Sequence, residues 1–256
     1  MSSTGGTFRR RIVLDCDGGT VRAGLEDDFH HFRVTVTMDG DRVADIDAKT
    51  FRFPWSTCPG AVAPLRGFIG QSVSSGMLRR QDMPSPRLNC THLHDLTLLA
   101  LAQAVRGPGR RQYDVTVPPR EPNGRSIGPD NIPTWPPGRT SATLARDGDL
   151  LMRFDMEGET VRAPAEAAGL DFRHLGKWAA EKGDDDFLEA VKVFRQGFFV
   201  SSGRAVPVEI VNHDLVRQVM SGVCYTFQPE RIDQGERCLD TPRDFTDQPD
   251  VLLAGF

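Results

Sequence analysis

From Arg11 to Phe53 the chain has little freedom of local structure: apolar and polar residues alternate with period two, and turn residues separate the runs. Such alternation puts successive side chains on opposite faces of a strand, so the segment reads as an antiparallel meander with one face towards a core. Ile12-Val13-Leu14 leads into the hairpin-type turn Asp17-Gly18-Gly19, and Val21 to Leu25 returns. The third run, Phe29 to Met38, sets His30, Phe32, Val34, Val36 and Met38 on one face and Phe29, His31, Arg33, Thr35 and Thr37 on the other. His30 is therefore expected to point inward with the apolar set. The fourth run places Ala44, Ile46, Ala48, Thr50 and Arg52 opposite Asp45, Asp47 and Lys49, with Arg52 near the strand end.

The same grammar returns in the second half, where Ser141 to Ala145, Asp149 to Met156 and Thr160 to Ala163 are separated by Asp147-Gly148 and Gly158. Helices are expected at Thr91 to Val105, ended by Gly107-Pro108-Gly109, and then at Asp171 to Lys182, Asp184 to Gln196 and Pro207 to Met220. Tyr113 to Val117 reads as a further strand, and Pro118 to Gly138, with seven prolines, as a surface excursion or a lid. The fold class that follows is α+β, antiparallel meanders packed against helices. Residues 1–110 carry the first meander and its helix, and residues 111–256 the second meander with the later helices, the two packed as one unit. The repeated order is open to reading as a distant duplication, although no residue-level repeat accompanies it.

Composition excludes several classes. Hydrophobic residues at 39%, charged residues at 26% and a formal net charge of −4 over 256 residues describe an ordinary globular chain, not a nucleic-acid surface. The short run Arg9-Arg10-Arg11 reads as a solvated face or a tether to the first strand. No apolar run approaches the roughly 18 residues of a membrane span, and the N-terminus lacks a hydrophobic signal core, so a cytoplasmic location away from membranes is expected. Five widely spaced cysteines with no Cys-x-x-Cys pair argue for free thiols or isolated metal ligands rather than disulfides or a structural zinc site. Gly-x-Gly-x-x-Gly, Walker, Gly-x-Ser-x-Gly and His-Glu-x-x-His patterns are absent, which leaves nucleotide, flavin and hydrolase-elbow chemistry without support.

Chemistry-bearing side chains concentrate in Asn89-Cys90-Thr91-His92-Leu93-His94-Asp95, at the mouth of the apolar helix. If that helix starts at Cys90, then Cys90 and His94 share one face a turn apart; if Thr91 is the cap, Cys90 lies outside it. Cys58, in Trp55-Ser56-Thr57-Cys58-Pro59, is expected at a helix N-terminus, where free N–H groups favour a thiolate. Phe29-His30 on a strand, Arg52-x-Pro54-Trp55-x-x-Cys58-Pro59 and Cys90-Thr91-His92-Leu93 before a helix together resemble the bacterial family catalogued as domain of unknown function 2889, over about residues 9–106. The resemblance carries no established activity. It singles out His30, Cys58, Cys90, Thr91 and His92, and it implies a setting in aromatic-compound catabolism.

His30, Cys58, Cys90 and His92 admit three readings. In the first they form an acid/base or nucleophilic site, a lyase-type centre free of cofactors, acting on a small and aromatic substrate. Arg52, Trp55, His94, Trp135 and Tyr225 are then the substrate-binding candidates: a cation for an anion, flat rings for a wall, a phenol for a developing charge. In the second reading His30, Cys58, Cys90 and His92 hold zinc or iron. In the third the histidines are hydrogen-bonded core residues and the thiols small buried hydrophobes, as in a non-catalytic small-molecule-binding or interaction module. The expected partner is a small-molecule substrate, with no nucleic acid and no membrane, and self-association is left open.

Overall fold

The computed structural model describes residues 5–121, 135–206 and 210–256. The protein is α+β, with an eight-stranded antiparallel sheet. Four strands come first: β1 (Phe8–Asp17), β2 (Thr20–Asp27), β3 (His31–Asp39) and β4 (Arg42–Arg52). Helix α1 (Thr91–Arg106) follows, then β5 (Gly109–Val117), β6 (Arg139–Arg146), β7 (Asp149–Glu157) and β8 (Thr160–Ala163), and then α2 (Leu175–Lys182), α3 (Asp185–Ser201) and α4 (His213–Val219). The strand order is β4-β3-β2-β1-β5-β6-β7-β8, so chain neighbours are sheet neighbours except where β5 lies beside β1. Most of the expected proline-rich excursion falls at residues 122–134, outside the described residues. So do residues 207–209, where the last helix was expected to begin; α4 starts at His213.

The chain forms two compact units. One comprises Ile12–Arg111, Val211–Arg243 and Gly255–Phe256, and the other Met1–Arg11, Gln112–Ile210 and Asp244–Ala254. A boundary thus falls at Arg111/Gln112, while Val211–Arg243 belongs with the first meander.

In the unit of the first meander, β3 alternates as the pattern requires, whereas β2 is buried without a break from Ala23 to Asp27. Phe32, Val34 and Val36 are buried and their neighbours less so, because that face carries α1, which packs on β2 and β3. Helix α1 opens after an extended Cys90 and closes at Gly107, whose φ of 92° suits a residue without Cβ. Leu93, Leu96, Ala100 and Leu101 have no exposed surface, and each buried leucine contributes roughly 1.5–3 kcal/mol of apolar transfer. Beyond β4 a 3-10 helix, Cys58–Phe68, has Pro59 in its first turn and buries Cys58, Ala61, Leu65 and Phe68. Trp55 and Cys58 join Val216, Phe227 and Ile232 in a satellite core closed by the Val211–Arg243 segment.

In the other unit, β6 and β7 turn at Asp147-Gly148, both with positive φ (54° and 94°), the two left-handed positions of a tight hairpin. Helix α3 is capped by Asp184, whose side chain accepts the Phe187 N–H at 2.9 Å, and two further aspartates occupy its first turn. It buries Leu188, Val191, Phe194 and Phe198. Where it crosses β5, Gly197 lets the backbone approach Val115, since a Cβ there would lie 2.8 Å from Val115 Cγ1. Among the described residues no helix is long and apolar enough to cross a membrane.

Candidate active site

Asp27 ends β2 and His30 directly precedes β3, so the pair brackets a tight connection. His30 was expected within the strand; it lies just before it, because the Asp27 side chain folds back onto the backbone and closes a turn there. Asp27 Oδ1 accepts the N–H groups of Phe29 and His30, each at 2.8 Å, and the Asp27 N–H donates to the His30 carbonyl at 2.9 Å. The same oxygen accepts from the His30 ring, with Nδ1 at 3.0 Å. Asp27 has no exposed surface and His30 retains 8%, so this is a buried charged contact at the edge of the protein interior.

Arg52 clamps the turn from β4. It pairs with His31 across the β3–β4 ladder, and its Nη2 donates to the Asp27 carbonyl at 2.6 Å, to Glu26 Oε1 at 3.0 Å and to the His30 carbonyl at 3.3 Å. Its Nη1 donates to the Thr241 carbonyl at 3.3 Å. The guanidinium is thus anchored to three backbone carbonyls and one carboxylate. His31 faces Glu26 at 3.5 Å and lies tilted against Phe51, ring centroids 4.7 Å apart. Its pKa is lowered, chiefly by burial and then by Arg33 and Arg52, against the opposing effect of Glu26.

His92 enters from the first turn of α1. Its ring stacks on that of His30, centroids 3.9 Å apart. Asp27, His30 and His92 each present a ligand-type atom, all within 4.8 Å of one another. Cys90 Sγ lies 3.9 Å from His92 Nδ1, too long for a strong thiol hydrogen bond.

Burial disfavours the thiolate at the cysteines near this group. Burial pushes the Cys58 thiol up to about 11, against the opposing effect of the Thr226 hydroxyl that donates to its sulfur at 3.4 Å. Burial pushes Cys90 further still, with Cys58 adding to the rise, and Cys224 is raised for the same reason. The expected thiolate at the helix N-terminus is therefore corrected: the Cys58 N–H donates to the Trp55 carbonyl and Pro59 has no N–H, so the start of the 3-10 helix does not outweigh the burial of the sulfur.

The other candidates have contacts of their own. Cys90 caps α1 from outside, so it shares no helix face with His94. His94 donates Nε2–H to the Pro84 carbonyl at 2.8 Å and packs on Phe68, which ties down the loop before the helix. Trp55 sits edge-on to Phe227 and beside His213 in the satellite core. The Tyr225 ring lies under Arg231 and against Gly60, where its hydroxyl would be 2.7 Å from a Cβ. Trp135 belongs to the unit of the second meander, stacked on Phe172 at 4.5 Å.

These residues span a recognisable module. Residues 15–106 match the family described as protein of unknown function DUF2889. The DUF2889 region contains Asp27, His30, Arg52, Cys58, Cys90 and His92, the strand turn and the helix that carry the site. No curated protein matches the chain. Asp27 is the residue that periodicity overlooks. Its signal in the sequence is the spacing Asp27-Asp28-Phe29-His30 at a strand junction, where an aspartate can bond to N–H groups two and three residues on.

Proposed function

We propose that Asp27, His30 and His92 form an acid–base centre and that the protein is a lyase-type enzyme, breaking a C–C or C–O bond in a small, aromatic-derived substrate. The observation that carries this reading is the contact between His30 Nδ1 and the buried Asp27 carboxylate at 3.0 Å. A carboxylate accepts only, so the proton sits on Nδ1 and Nε2 keeps its lone pair. Taking up a proton at Nε2 creates an imidazolium whose charge Asp27 stabilises in place.

In such a step Nε2 removes a proton from a substrate hydroxyl or acidic C–H. The released electron pair forms a double bond, the neighbouring C–C or C–O bond breaks onto the leaving group, and the imidazolium returns the proton there. His92, in face contact with His30, stays neutral while His30 is charged, because two stacked cations repel at this distance. The aromatic character of the substrate rests on the family resemblance. Screening aromatic hydroxy acids, aryl ketols and aryl ethers against wild type, His30→Ala and His92→Ala tests the reading. A turnover that falls at least about a hundredfold in His30→Ala, with the circular dichroism of the fold retained, is the expected result. Undiminished turnover in that variant would sink it.

A second reading is favoured by one observation, the approach of Asp27, His30 and His92 ligand atoms to within 4.8 Å. Two imidazoles and a carboxylate suit zinc or iron with positions left open for substrate. Elemental analysis of protein purified without chelator, beside His92→Ala, separates the two. About one metal per chain, lost in the variant, favours the metal centre.

A further inference from the structure

We propose that the unit containing β5 to β8 holds a separate ligand site, a carboxylate-binding pocket built on Arg120 and Trp135. Arg120 follows β5 and is 8% exposed. Its guanidinium lies over Phe198, 4.9 Å from Cζ to the ring centroid, and over Trp135, 5.5 Å away. Among the described residues its Nη1 reaches the Gly158 carbonyl, at 3.5 Å, and its Nη2 is buried with no hydrogen-bond partner. Burial lowers its pKa to about 10. The Trp135 indole N–H in the same aromatic cluster is likewise buried and without a partner among the described residues.

Two buried donors in one cluster with no partner among the described residues, one of them cationic, ask for an acceptor that carries negative charge, since burying an unpaired cation is strongly unfavourable. A pocket opens beside Arg120, lined by Phe8, Val117, Pro118, Arg204 and Pro136, the neighbour of Trp135 in the chain. Arg204 already pairs with Asp244 at 2.8 Å, so a single positive charge is left to neutralise. One charge selects a monoanion over a phosphate dianion. A guanidinium fork matches a planar two-oxygen group, and the apolar lining suits the body of a small organic acid.

Calorimetric titration of the full chain with sodium acetate at constant ionic strength, with chloride and inorganic phosphate as controls, tests the site. Acetate is expected to bind saturably and to raise the unfolding midpoint above that in chloride. Arg120→Gln should lose at least tenfold in acetate affinity, and Trp135→Phe, which keeps the ring but removes the N–H, several-fold. If Arg120→Gln does not fold, Trp135→Phe decides alone. No acetate binding by wild type, phosphate bound in preference to acetate, or unchanged acetate affinity in the folded variants would each overturn the proposal.

Discussion

The imidazole of His30 lies face to face with that of His92, their planes 29° from parallel, although 62 positions separate them in the chain. One ring is held from below by an aspartate turn and the other is delivered by a helix packed across the sheet. Each support makes a separate prediction.

Asp27→Ala leaves the N–H groups of Phe29 and His30 and the ring N–H of His30 without their acceptor inside the protein. It should cost about 3 kcal/mol or more, a sum of buried hydrogen bonds of which one is charged. Asp27→Asn keeps an acceptor for the backbone and should cost clearly less, while losing the charge that holds the His30 tautomer. Urea unfolding of the two variants checks the order, and the downfield ring N–H resonance of His30 should vanish in both.

Cys58 sets a pH dependence. Its thiol is held neutral in the folded protein up to about 11, whereas the unfolded chain releases that proton near 9. Between those values the native state binds the extra proton, so this contribution is fully present below pH 9 and is lost as pH rises towards 11. The loss should be on the order of 2–3 kcal/mol and should be missing in Cys58→Ala compared with its own value at pH 8. At pH 8 a thiol reagent should leave Cys58 and Cys90 unmodified until denaturant is added.

Gly197 and Val115 form a testable couple. A methyl at 197 would meet Val115 Cγ1 at 2.8 Å and Cβ at 3.0 Å, so Gly197→Ala should push α3 off β5 at a cost of about 1–3 kcal/mol. In the double variant Gly197→Ala/Val115→Ala the clash is relieved, and the two changes together should cost less than the sum of each alone. Additive costs would mean that the helix has room to move.

Tyr113 donates its hydroxyl to Glu189 Oε1 at 2.7 Å, and neither side chain has exposed surface. Tyr113→Phe withdraws a donor from a buried carboxylate and should destabilise by about 1–3 kcal/mol. Adding Glu189→Gln should recover part of that loss, because an amide is cheaper to bury than a carboxylate.

Much of the fold was legible in the chain. Period-two runs located strands in both meanders, Gly107 marked the end of α1, and the apolar set of β3 put His30 on the buried side. Each of these follows from interactions between residues close in sequence, where the backbone repeat itself sets which side chains share a face. Local patterning was insufficient at the site. It placed His30 inside the strand, because alternation does not register an aspartate that caps the backbone three residues on. It favoured a thiolate at Cys58, because a helix terminus is visible in sequence whereas the desolvation that overrides it is not.

What the sequence determined by itself was therefore the set of strands, helices and faces, along with the residue types available for chemistry. Only the tertiary structure decided that His30 meets His92, that Arg52 grips the turn's carbonyls, that Val211–Arg243 closes over Trp55 and Cys58, and that Arg120 is buried with a donor to spare among the described residues. The physical reason is that periodicity is a property of neighbours along the chain, whereas distance, burial and protonation depend on the whole core closing at once.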